Sequence, residues 1–251
     1  MITDFIGNTP LIKLNYFSEI SGCNIYGKAE FMNPGGSIKD RAAKYIIEHA
    51  IENNLLRSGG TIVEGTAGNT GIGLALVGNA YNLNTIIVIP DTQAEEKKFT
   101  LRACGAELIE VPAVPYKDKN NYVKYSKKIA ENQKNENGVL WANQFDNEVN
   151  FIGHQNDTGP EILRQLNNKI DGFVCSCGTG GTLTGVSISL RNKNPDVKIA
   201  LADPMGAALY NFYKKGELKS EGSSVTEGIG QGRITKNLEQ LNVDFPFQIN
   251  D

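Results

Sequence analysis

The stretch Asn33-Pro34-Gly35-Gly36-Ser37-Ile38-Lys39-Asp40-Arg41 joins a tight turn to the start of a helix. Pro-Gly-Gly predicts the turn, and apolar residues at spacings of three and four from Ala42 onward predict the helix. Ser37 is a candidate N-cap, because its hydroxyl can accept a hydrogen bond from an unpaired amide of the first turn. Asp40 suits the positive end of the helix dipole.

Lys39 is the unusual residue of this stretch, because the dipole at a helix N-terminus disfavours a cation. An amine held beside that partial positive charge and removed from water loses its proton more easily, as a Schiff-base lysine requires. A solvated surface lysine is the simpler interpretation of Lys39 taken alone. Motifs farther along the chain favour the interpretation of Lys39 as a reactive lysine.

Composition narrows the class of protein. The chain has 251 residues, of which 40% are hydrophobic and 21% are charged, as in a globular protein of one or two domains. A net charge of −3 without a basic block argues against a nucleic-acid partner. Residues 1–4 lack the features of a secretory signal, and no apolar stretch approaches transmembrane length. We therefore expect a cytoplasmic protein without a membrane partner.

The cysteines and histidines predict no metal site. The four cysteines are irregularly spaced in a chain without an export signal, so we expect reduced thiols. Cys175 and Cys177 form one Cys-x-Cys pair with no second pair nearby, and we interpret them as buried thiols. His49 and His154 have no evident ligand or nucleophile beside them, so we interpret both as structural.

Alternation of strand and helix patterns predicts an α/β fold with a mostly parallel sheet. Glycines make the tail from Asp203 look irregular. The segment 148–166 reads as two helices broken at Thr158-Gly159-Pro160. Predicted strands cover 9–14, 24–31, 61–64, 85–90, 107–111, 139–142, 172–176 and 197–202. Another predicted helix begins near residue 39, and the remaining predicted helices cover 70–81, 94–104, 121–135 and 182–191.

Two glycine-rich loops follow predicted strands, where open α/β sheets bind ligands. The first is Glu64-Gly65-Thr66-Ala67-Gly68-Asn69-Thr70-Gly71. Its glycines allow backbone N–H groups to approach a ligand, and the helix start suits a carboxylate. The Asn69 amide can bond a hydroxyl or an oxyanion.

The second loop is Gly178-Thr179-Gly180-Gly181-Thr182, a nest of backbone donors at a helix N-terminus suited to phosphate. It lacks the lysine of a P-loop and the G-x-G-x-x-G spacing of dinucleotide sites, so a small phosphate monoester fits better than a nucleotide. Either loop alone is compatible with an ordinary tight turn. Together with a reactive lysine, the two loops indicate pyridoxal 5′-phosphate (PLP).

With these motifs in this order, the chain resembles the cysteine synthase (O-acetylserine sulfhydrylase) branch of the fold-type II PLP enzymes. The resemblance covers nearly the whole chain. It is carried by residues 6–11, 33–41, 68–71, 143–145, 158–161, 178–182 and 227–230.

The resemblance implies two open, twisted, mostly parallel sheets flanked by helices, as in the tryptophan synthase β fold. It also implies a smaller α/β domain over residues 42–145, inserted into a larger PLP-binding domain made of residues 1–41 and 146–251. Members of the family form homodimers, so a homodimer is expected here.

The resemblance also implies roles for individual residues. Lys39 would be the catalytic residue and would bind PLP as a Schiff base, and Asn69 would bond the cofactor's 3′-oxygen. Gly228 would lie in a loop that faces the site from the far side. The phosphate would be held by Gly178, Thr179, Gly180, Gly181 and Thr182, and the substrate carboxylate by Thr66, Gly68, Thr70 and Gln144.

The implied reaction is β-replacement on O-acetyl-L-serine with sulfide, which gives L-cysteine and acetate. Serine acetyltransferase is an implied partner, since family members bind its C-terminal tail in the active site. Two alternatives remain open. One is cystathionine β-synthase or another β-replacement or β-elimination enzyme, and the other is a catalytically inactive truncated homologue that acts as a binding protein.

The chain departs from the family pattern at two places. The family commonly has serine at the position of Ala67, so one hydroxyl donor to the substrate carboxylate is lost. Family members also usually continue well beyond Asp251, with further strands and a hydroxyl or thiol residue for the pyridine nitrogen. We therefore expect a chain without the usual C-terminal portion.

Overall fold

The computed structural model describes residues 1–66 and 68–251, and it confirms the α/β fold class. Ala67, where the substrate loop departs from the family pattern, lies outside the described residues. The strands are Leu11–Lys13 (β1), Tyr26–Lys28 (β2), Thr61–Gly65 (β3), Asn84–Pro90 (β4), Glu107–Val111 (β5), Val139–Trp141 (β6), Gly172–Cys175 (β7), Lys198–Pro204 (β8) and Phe245–Ile249 (β9). The α-helices are Asn15–Ser21 (α1), Lys39–Glu52 (α2), Asn69–Ala80 (α3), Glu95–Ala103 (α4), Tyr122–Asn132 (α5), Val149–Gly153 (α6), Gly159–Gln165 (α7), Gly181–Lys193 (α8) and Leu209–Lys215 (α9). A π-helical turn covers His154–Thr158, and 3-10 helices cover Ile2–Phe5, Glu30–Met32 and Lys236–Leu238.

Two parallel sheets form the framework. One has the strand order β5-β4-β3-β6, and the other has the order β7-β8-β9. Strands β1 and β2 form a separate antiparallel pair. Every residue of β3 is buried, as expected for a strand covered on both faces. The loops after β3 and β7 leave at carboxyl ends of parallel strands, where ligand sites form.

Each parallel sheet has its own hydrophobic cluster. The first includes Ile46 of α2, Leu74 of α3 and Ile87 of β4. The second joins α8 to β8 and α9. These two clusters support the division into residues 42–145 and two flanking segments. Ile6, from outside that range, packs in the first cluster, and the division stays a proposal.

The predicted break at Thr158-Gly159-Pro160 is wrong. The backbone stays helical through Thr158 and Gly159, and a π-helical turn connects α6 to α7. Pro160 stands in the first turn of α7, where its missing N–H is tolerated. Gly159 is needed for space, since a Cβ atom there would collide with Ser189 of α8. The glycine that predicted a helix stop therefore allows α7 to pack closely against α8.

Neighbouring glycines pack the same helices closely. A Cβ atom on Gly153 would collide with the Tyr45 ring of α2. A Cβ atom on Gly185 of α8 would collide with the backbone carbonyl of Phe151. The helices α2, α6 and α8 therefore approach each other at distances that only glycine permits.

Three elements were missed from the sequence. The tail beyond Asp203 is not irregular throughout, because it contains α9 and the edge strand β9. Pro246 in β9 masked the strand pattern, although an edge strand tolerates proline. Helix α1 is a short helix ended by Gly22, whose φ of 70° is left-handed.

A buried charge network fixes the start of α2. The side chain of Arg41 is fully buried, with its guanidinium bound to the carboxylates of Glu30 and Glu161 at N–O distances of 2.9 Å. Lys28 also pairs with Glu161. Despite its burial, Glu161 has a pKa lowered to about 2, because Arg41 and Lys28 stabilise its charge. The network therefore joins α2 to the N-terminal segment and to α7.

We predict that Arg41→Met destabilises the protein by about 3–5 kcal/mol, because partly buried Glu30 loses its counter-ion and buried Glu161 keeps only Lys28. The matched control is Arg102→Met, which removes an ion pair with Glu110 in which Arg102 is half exposed. That change should cost less than about 1 kcal/mol. Urea unfolding of the two variants measures both values. Equal losses would show that the Arg41 network does not stabilise the fold.

Candidate active site

The turn before α2 presents Lys39 as the sequence predicts. The backbone N–H of Lys39 donates to the Ser37 hydroxyl at 3.2 Å, so Ser37 supports the first turn. The Gly35 N–H donates to the Asp40 carboxylate, and a Cβ atom on Gly35 would collide with that group. Burial raises the pKa of Asp40 to about 6. These contacts fix the turn on both sides of Lys39.

The Lys39 amine lies within electrostatic range of the end of β7. Burial lowers the pKa of Lys39, and the thiols of Cys175 and Cys177 oppose that change. Burial also raises the pKa of Cys175 to about 11, while the charge of Lys39 lowers it. All four cysteines are free thiols, as expected. An amine with a lowered pKa is available as a nucleophile and as a base.

The glycine loop after β7 is packed too tightly for side chains. Gly178 faces the backbone carbonyl of Gly228, which a Cβ atom would strike. Gly180 has a φ of 94°, and a Cβ atom there would lie 2.7 Å from Leu238 Cγ. Helix α8 begins at Gly181, so its first-turn N–H groups face outward from the loop. Such a helix start is an anion-binding site.

Side chains from later in the chain hold the glycine loop. Gln231 Nε2 donates to the Gly178 carbonyl at 3.0 Å, and Thr235 Oγ1 donates to the Thr179 carbonyl at 2.9 Å. Asn150 Nδ2 donates to Thr179 Oγ1 at 3.1 Å. The carbonyls of Gly178 and Thr179 are thus engaged by side chains, and the Gly181 N–H at the helix start donates to Thr179 Oγ1 at 3.4 Å.

The loop after β3 lies beside the start of α2. A Cβ atom on Gly73 of α3 would lie 3.0 Å from the Lys39 carbonyl oxygen. Helix α3 begins at Asn69, which is exposed. The Gly68 N–H donates to Thr66 Oγ1 at 3.3 Å. The helix start with Asn69 is therefore close to the turn that carries Lys39.

Thr70 and Gln144 meet although they lie far apart in the sequence. Thr70 Oγ1 donates to Gln144 Oε1 at 2.5 Å, and both residues are buried. The Gln144 carbonyl accepts hydrogen bonds from Asn150 Nδ2 and Asn237 Nδ2, each at 2.9 Å. Asn150 therefore bonds both to Gln144 and to Thr179 of the glycine loop. This bridge connects the two candidate ligand loops.

The loop around Gly228 lies against the glycine loop. The Gly230 N–H donates to the Cys177 carbonyl at 2.8 Å. Next to Gly228, Glu227 pairs with Lys97 of α4. The Gly228 loop thus contacts both the second sheet and a helix of the first.

His154 contacts a predicted site residue. Its Nδ1 lies 2.8 Å from Thr158 Oγ1, and its Nε2 lies 3.2 Å from Thr182 Oγ1. Burial, together with the charges of Arg41 and Lys39, lowers the pKa of His154 to about 3. His154 is therefore neutral and holds the Thr182 hydroxyl. His49 is exposed in the last turn of α2.

Several residues of this region were missed in the sequence. Asn150, Thr235 and Asn237 carried no motif, because each acts on a backbone carbonyl or hydroxyl of a distant loop. Gln231 acts in the same way. The sequence signal for the contact made by His154 is its spacing of four residues from Thr158, which brings the two side chains together on the π-helical turn.

The described residues contain neither a cluster of potential metal ligands nor a membrane-spanning helix. Within residues 1–66 and 68–251, no three His, Cys, Asp or Glu side chains gather in a way that could hold a metal ion. In the same ranges, no helix is both long enough and apolar enough to cross a membrane.

Known proteins identify the family. The family described as pyridoxal-phosphate dependent enzyme matches residues 2–244. The chain belongs to this family. It is 51% identical to cysteine synthase 1 of Neurospora crassa over 242 residues, which are 95% of this chain and 64% of the fungal protein. It is 38% identical to cystathionine beta-synthase of Rattus norvegicus over 249 residues, which are 98% of this chain and 44% of the rat protein.

A solved structure supports the same family. The crystal structure of O-ureido-L-serine synthase matches with a TM-score of 0.87 and 33% sequence identity, and the match covers 99% of this chain and 75% of that one. The resemblance inferred from the motifs is thereby confirmed. The chain nevertheless spans just under two thirds of the length of the Neurospora protein.

The residues of the site fit PLP, the cofactor of this family. The lowered pKa of Lys39 suits a covalent bond to an aldehyde. The glycine loop, with no room for a Cβ atom on Gly178 or Gly180, gives a phosphate group close access to backbone N–H groups. The glycine loop follows β7, and Cys175 and Cys177 beside that loop are the thiols that act on the pKa of Lys39.

We predict that Gly178→Ala weakens PLP binding by about tenfold or more. The added Cβ atom would push against the Gly228 carbonyl, and overpacking of this kind costs about 1–3 kcal/mol. Gly232→Ala is the matched control, because no atom lies within 4 Å of the Cβ position of Gly232. Titration of PLP-free protein with PLP measures both affinities. Similar affinities in the two variants would contradict the packing argument.

We also predict a stability change with pH that depends on His154. The folded-state pKa of about 3 lies below the ordinary value of 6.5, so the unfolded chain binds an extra proton between them. Above pH 6.5, His154 does not change the free energy of unfolding with pH. Below pH 6.5, the free energy of unfolding decreases as the pH falls, by up to about 1.4 kcal/mol per pH unit.

Urea unfolding between pH 5 and 7 tests this prediction. Asp40 and Glu64, whose pKa values are raised to about 6 and about 8, change stability in the opposite direction, so the comparison is between variants. His154→Gln should remove the contribution, whereas His49→Gln, which changes an exposed residue, should keep it. A wild-type pH slope in His154→Gln would refute the assignment.

Proposed function

We propose that this protein catalyses PLP-dependent β-replacement on O-acetyl-L-serine with sulfide, giving L-cysteine and acetate. The observation that carries the proposal is the convergence of three elements. The proposal is supported by the packing of the Lys39 backbone against Gly73 of α3, by the hydrogen bond from Thr70 to Gln144, and by the electrostatic effect on Lys39 of Cys175 and Cys177, next to the glycine loop. Similarity to a protein named cysteine synthase supports the choice of reaction.

The proposed roles follow from these positions. Lys39 would hold PLP covalently, and Asn69 at the start of α3 would bond its 3′-oxygen. Gly228 lies against the phosphate loop and closes the site from that side. The phosphate is held by Gly178, Thr179, Gly180, Gly181 and Thr182, and the substrate carboxylate by Thr66, Gly68, Thr70 and Gln144.

When bound, PLP supplies an electron sink for the pair of electrons released at the substrate α-carbon. The Lys39 amine would remove the α-proton, since burial lowers its pKa and thereby favours the neutral, basic form. Acetate leaves from the β-carbon, and sulfide then bonds to that carbon. Lys39 returns the proton to the α-carbon. The loop with Thr66 and Thr70 holds the carboxylate and keeps water from the reacting atoms.

We predict that Lys39→Ala lowers turnover by on the order of 10³-fold or more, because the amine is both attachment point and base. The matched control is Lys44→Ala on the same helix, whose amine donates to the Thr3 carbonyl and does not face the site. Release of cysteine from O-acetyl-L-serine and sulfide measures turnover.

Borohydride reduction tests the attachment independently of turnover. Reduction should fix PLP to the peptide that contains Lys39, and mass spectrometry should find the same attachment in Lys44→Ala. Attachment to another lysine, or full activity in Lys39→Ala, would reject the assignment.

Cystathionine synthesis is the second candidate, favoured by the 38% identity to cystathionine beta-synthase. The proposed site residues contact cofactor and carboxylate, which both reactions share. Competing O-acetyl-L-serine, O-phospho-L-serine and L-serine, each with sulfide or homocysteine, separates the two. Absence of turnover with every pair would favour a binding role without catalysis.

The partners and location belong to the same proposal. A homodimer is supported by exposed apolar side chains of the N-terminal segment, among them Phe5, Tyr16, Phe17 and Ile20. Serine acetyltransferase is proposed as a partner, and the cytoplasm as the location, from the sequence resemblance and composition. Sedimentation of the purified protein, alone and with that enzyme, tests both associations.

A further inference from the structure

The Gln144 turn, residues 143–147, lies between β6 and α6 and belongs to neither element. The chain bends at Asn143, whose φ of 49° is left-handed. The N–H groups of Asp146 and Asn147 donate to the Asn143 carbonyl at 3.0 and 2.9 Å. So short a turn depends on other segments to keep its shape, and its contacts with them therefore decide where Gln144 lies.

Arg233 holds the second half of this turn through two parallel hydrogen bonds to Asp146. Its Nη1 donates to Asp146 Oδ1 at 3.0 Å, and its Nη2 donates to Asp146 Oδ2 at 2.8 Å. The backbone N–H of Lys236 also donates to Oδ1 at 3.0 Å. Despite partial burial, the pKa of Asp146 is lowered, because Arg233 and the Lys236 N–H stabilise its charge. A bidentate pair of this kind fixes geometry better than an ordinary surface ion pair.

Two aromatic rings add to the contacts of the Arg233 guanidinium. Its Cζ atom lies 5.4 Å from the centre of the Tyr116 ring and 5.7 Å from the centre of the Phe145 ring. Both distances are within the range of cation–π attraction. Phe145 belongs to the Gln144 turn, and Tyr116 belongs to the segment between β5 and α5. Arg233 therefore contacts two neighbouring residues of the turn.

The segment 233–237 also bonds to the glycine loop. Thr235 Oγ1 donates to the Thr179 carbonyl, and Asn237 Nδ2 donates to two carbonyls in the first half of the Gln144 turn at 2.9 and 2.8 Å. Thr235 and Asn237 are fully buried. One five-residue segment thus holds both halves of the Gln144 turn and the glycine loop at the same time.

We propose that Arg233 is a positioning residue: by pairing with Asp146 it holds the Gln144 turn in a fixed place relative to the glycine loop, so that the Gln144 amide is ready to bind the substrate carboxylate. This inference rests on the proposed function for the identity of that carboxylate. A turn held at both halves has little freedom left to lose when a ligand binds.

The first test measures amide hydrogen exchange and needs no turnover. Arg233→Met removes the charge and both hydrogen bonds but keeps an apolar stem. Exchange in peptides that cover residues 143–147 should become about tenfold faster, because the bonded N–H groups of Asp146 and Asn147 open more often once the turn is released. Exchange at the wild-type rate overturns the proposal.

Arg191→Met is the matched control, because it breaks an ion pair of similar exposure. Arg191 of α8 donates to Asp244 Oδ2 and to the Asn242 carbonyl, each at 2.8 Å. The side chains of Arg191 and Asp244 are 25% and 30% exposed, and those of Arg233 and Asp146 are 28% and 27% exposed. Arg191→Met should leave exchange of the Gln144 turn unchanged. Equally fast exchange there in both variants would show a general loss of stability and would overturn the proposal.

The second test divides the effect between KM and kcat. In Arg233→Met, KM for O-acetyl-L-serine should rise about fivefold or more while kcat changes less than twofold, because the carboxylate contact is weakened equally before and during reaction. PLP affinity should stay within about twofold, since Gln231, Thr235 and Asn150 still hold the glycine loop. A fall in kcat at unchanged KM would overturn the role toward the carboxylate.

Asp146→Asn completes a double-mutant cycle. If Arg233 acts through Asp146, the KM of the double variant should match that of Arg233→Met within about twofold. Effects that multiply in the double variant would show that the two residues act separately and would overturn the pairing.

The outcomes distinguish this inference from the proposed function. Wild-type turnover with the same KM in Arg233→Met and Arg191→Met overturns the positioning role and leaves the proposed function standing. Absence of turnover in the wild type, with faster exchange only in Arg233→Met, rejects the proposed function and leaves the hold of Arg233 on the Gln144 turn established.

Discussion

The charge of Arg41 is enclosed by protein, and the position of Lys39 depends on how that charge is balanced. Its guanidinium requires Glu30 from the N-terminal segment and Glu161 from α7. A buried ion pair adds little net stability, but it permits few arrangements, because separating either partner leaves a charge without water. Lys39 stands two residues before Arg41 on the first turn of α2. The network therefore fixes the start of α2, which carries Lys39, relative to the N-terminal segment and to α7.

The two ligand loops come from different sheets, and amide side chains hold them together. The loop after β3 belongs to the four-stranded sheet, and the glycine loop follows β7 in the three-stranded sheet. Asn150 bonds to Gln144 and Thr179, and Asn237 bonds to Gln144 and Phe145. In the glycine loop, the carbonyls of Gly178 and Thr179 accept hydrogen bonds from side chains, and the helix start that follows carries a partial positive charge. This division of donors and acceptors makes the region suited to an anionic ligand at both loops.

Local sequence signals predicted the elements that build the site. The turn before Lys39, the strands β3 and β7 and the helices after them follow from glycine placement, apolar runs and helix starts. The same signals failed where tertiary packing gave a residue another use. Gly159 and Pro160 read as a helix stop but allow α7 to pack against α8. Asn150 and His154 act on loops far away in the sequence, and no local pattern reports such contacts.

Close packing at glycines limits how this protein can change. Gly153 lies against the ring of Tyr45, and Gly185 lies against the Phe151 carbonyl. A larger residue at position 153 would require a smaller one at position 45, so natural sequences are expected to vary at both positions together or at neither. No compensating substitution is available for position 185, because the neighbouring atom is the backbone carbonyl oxygen of Phe151. Mutational tolerance should therefore be lowest along the seam between α6 and α8, where volume rather than chemistry restricts substitution.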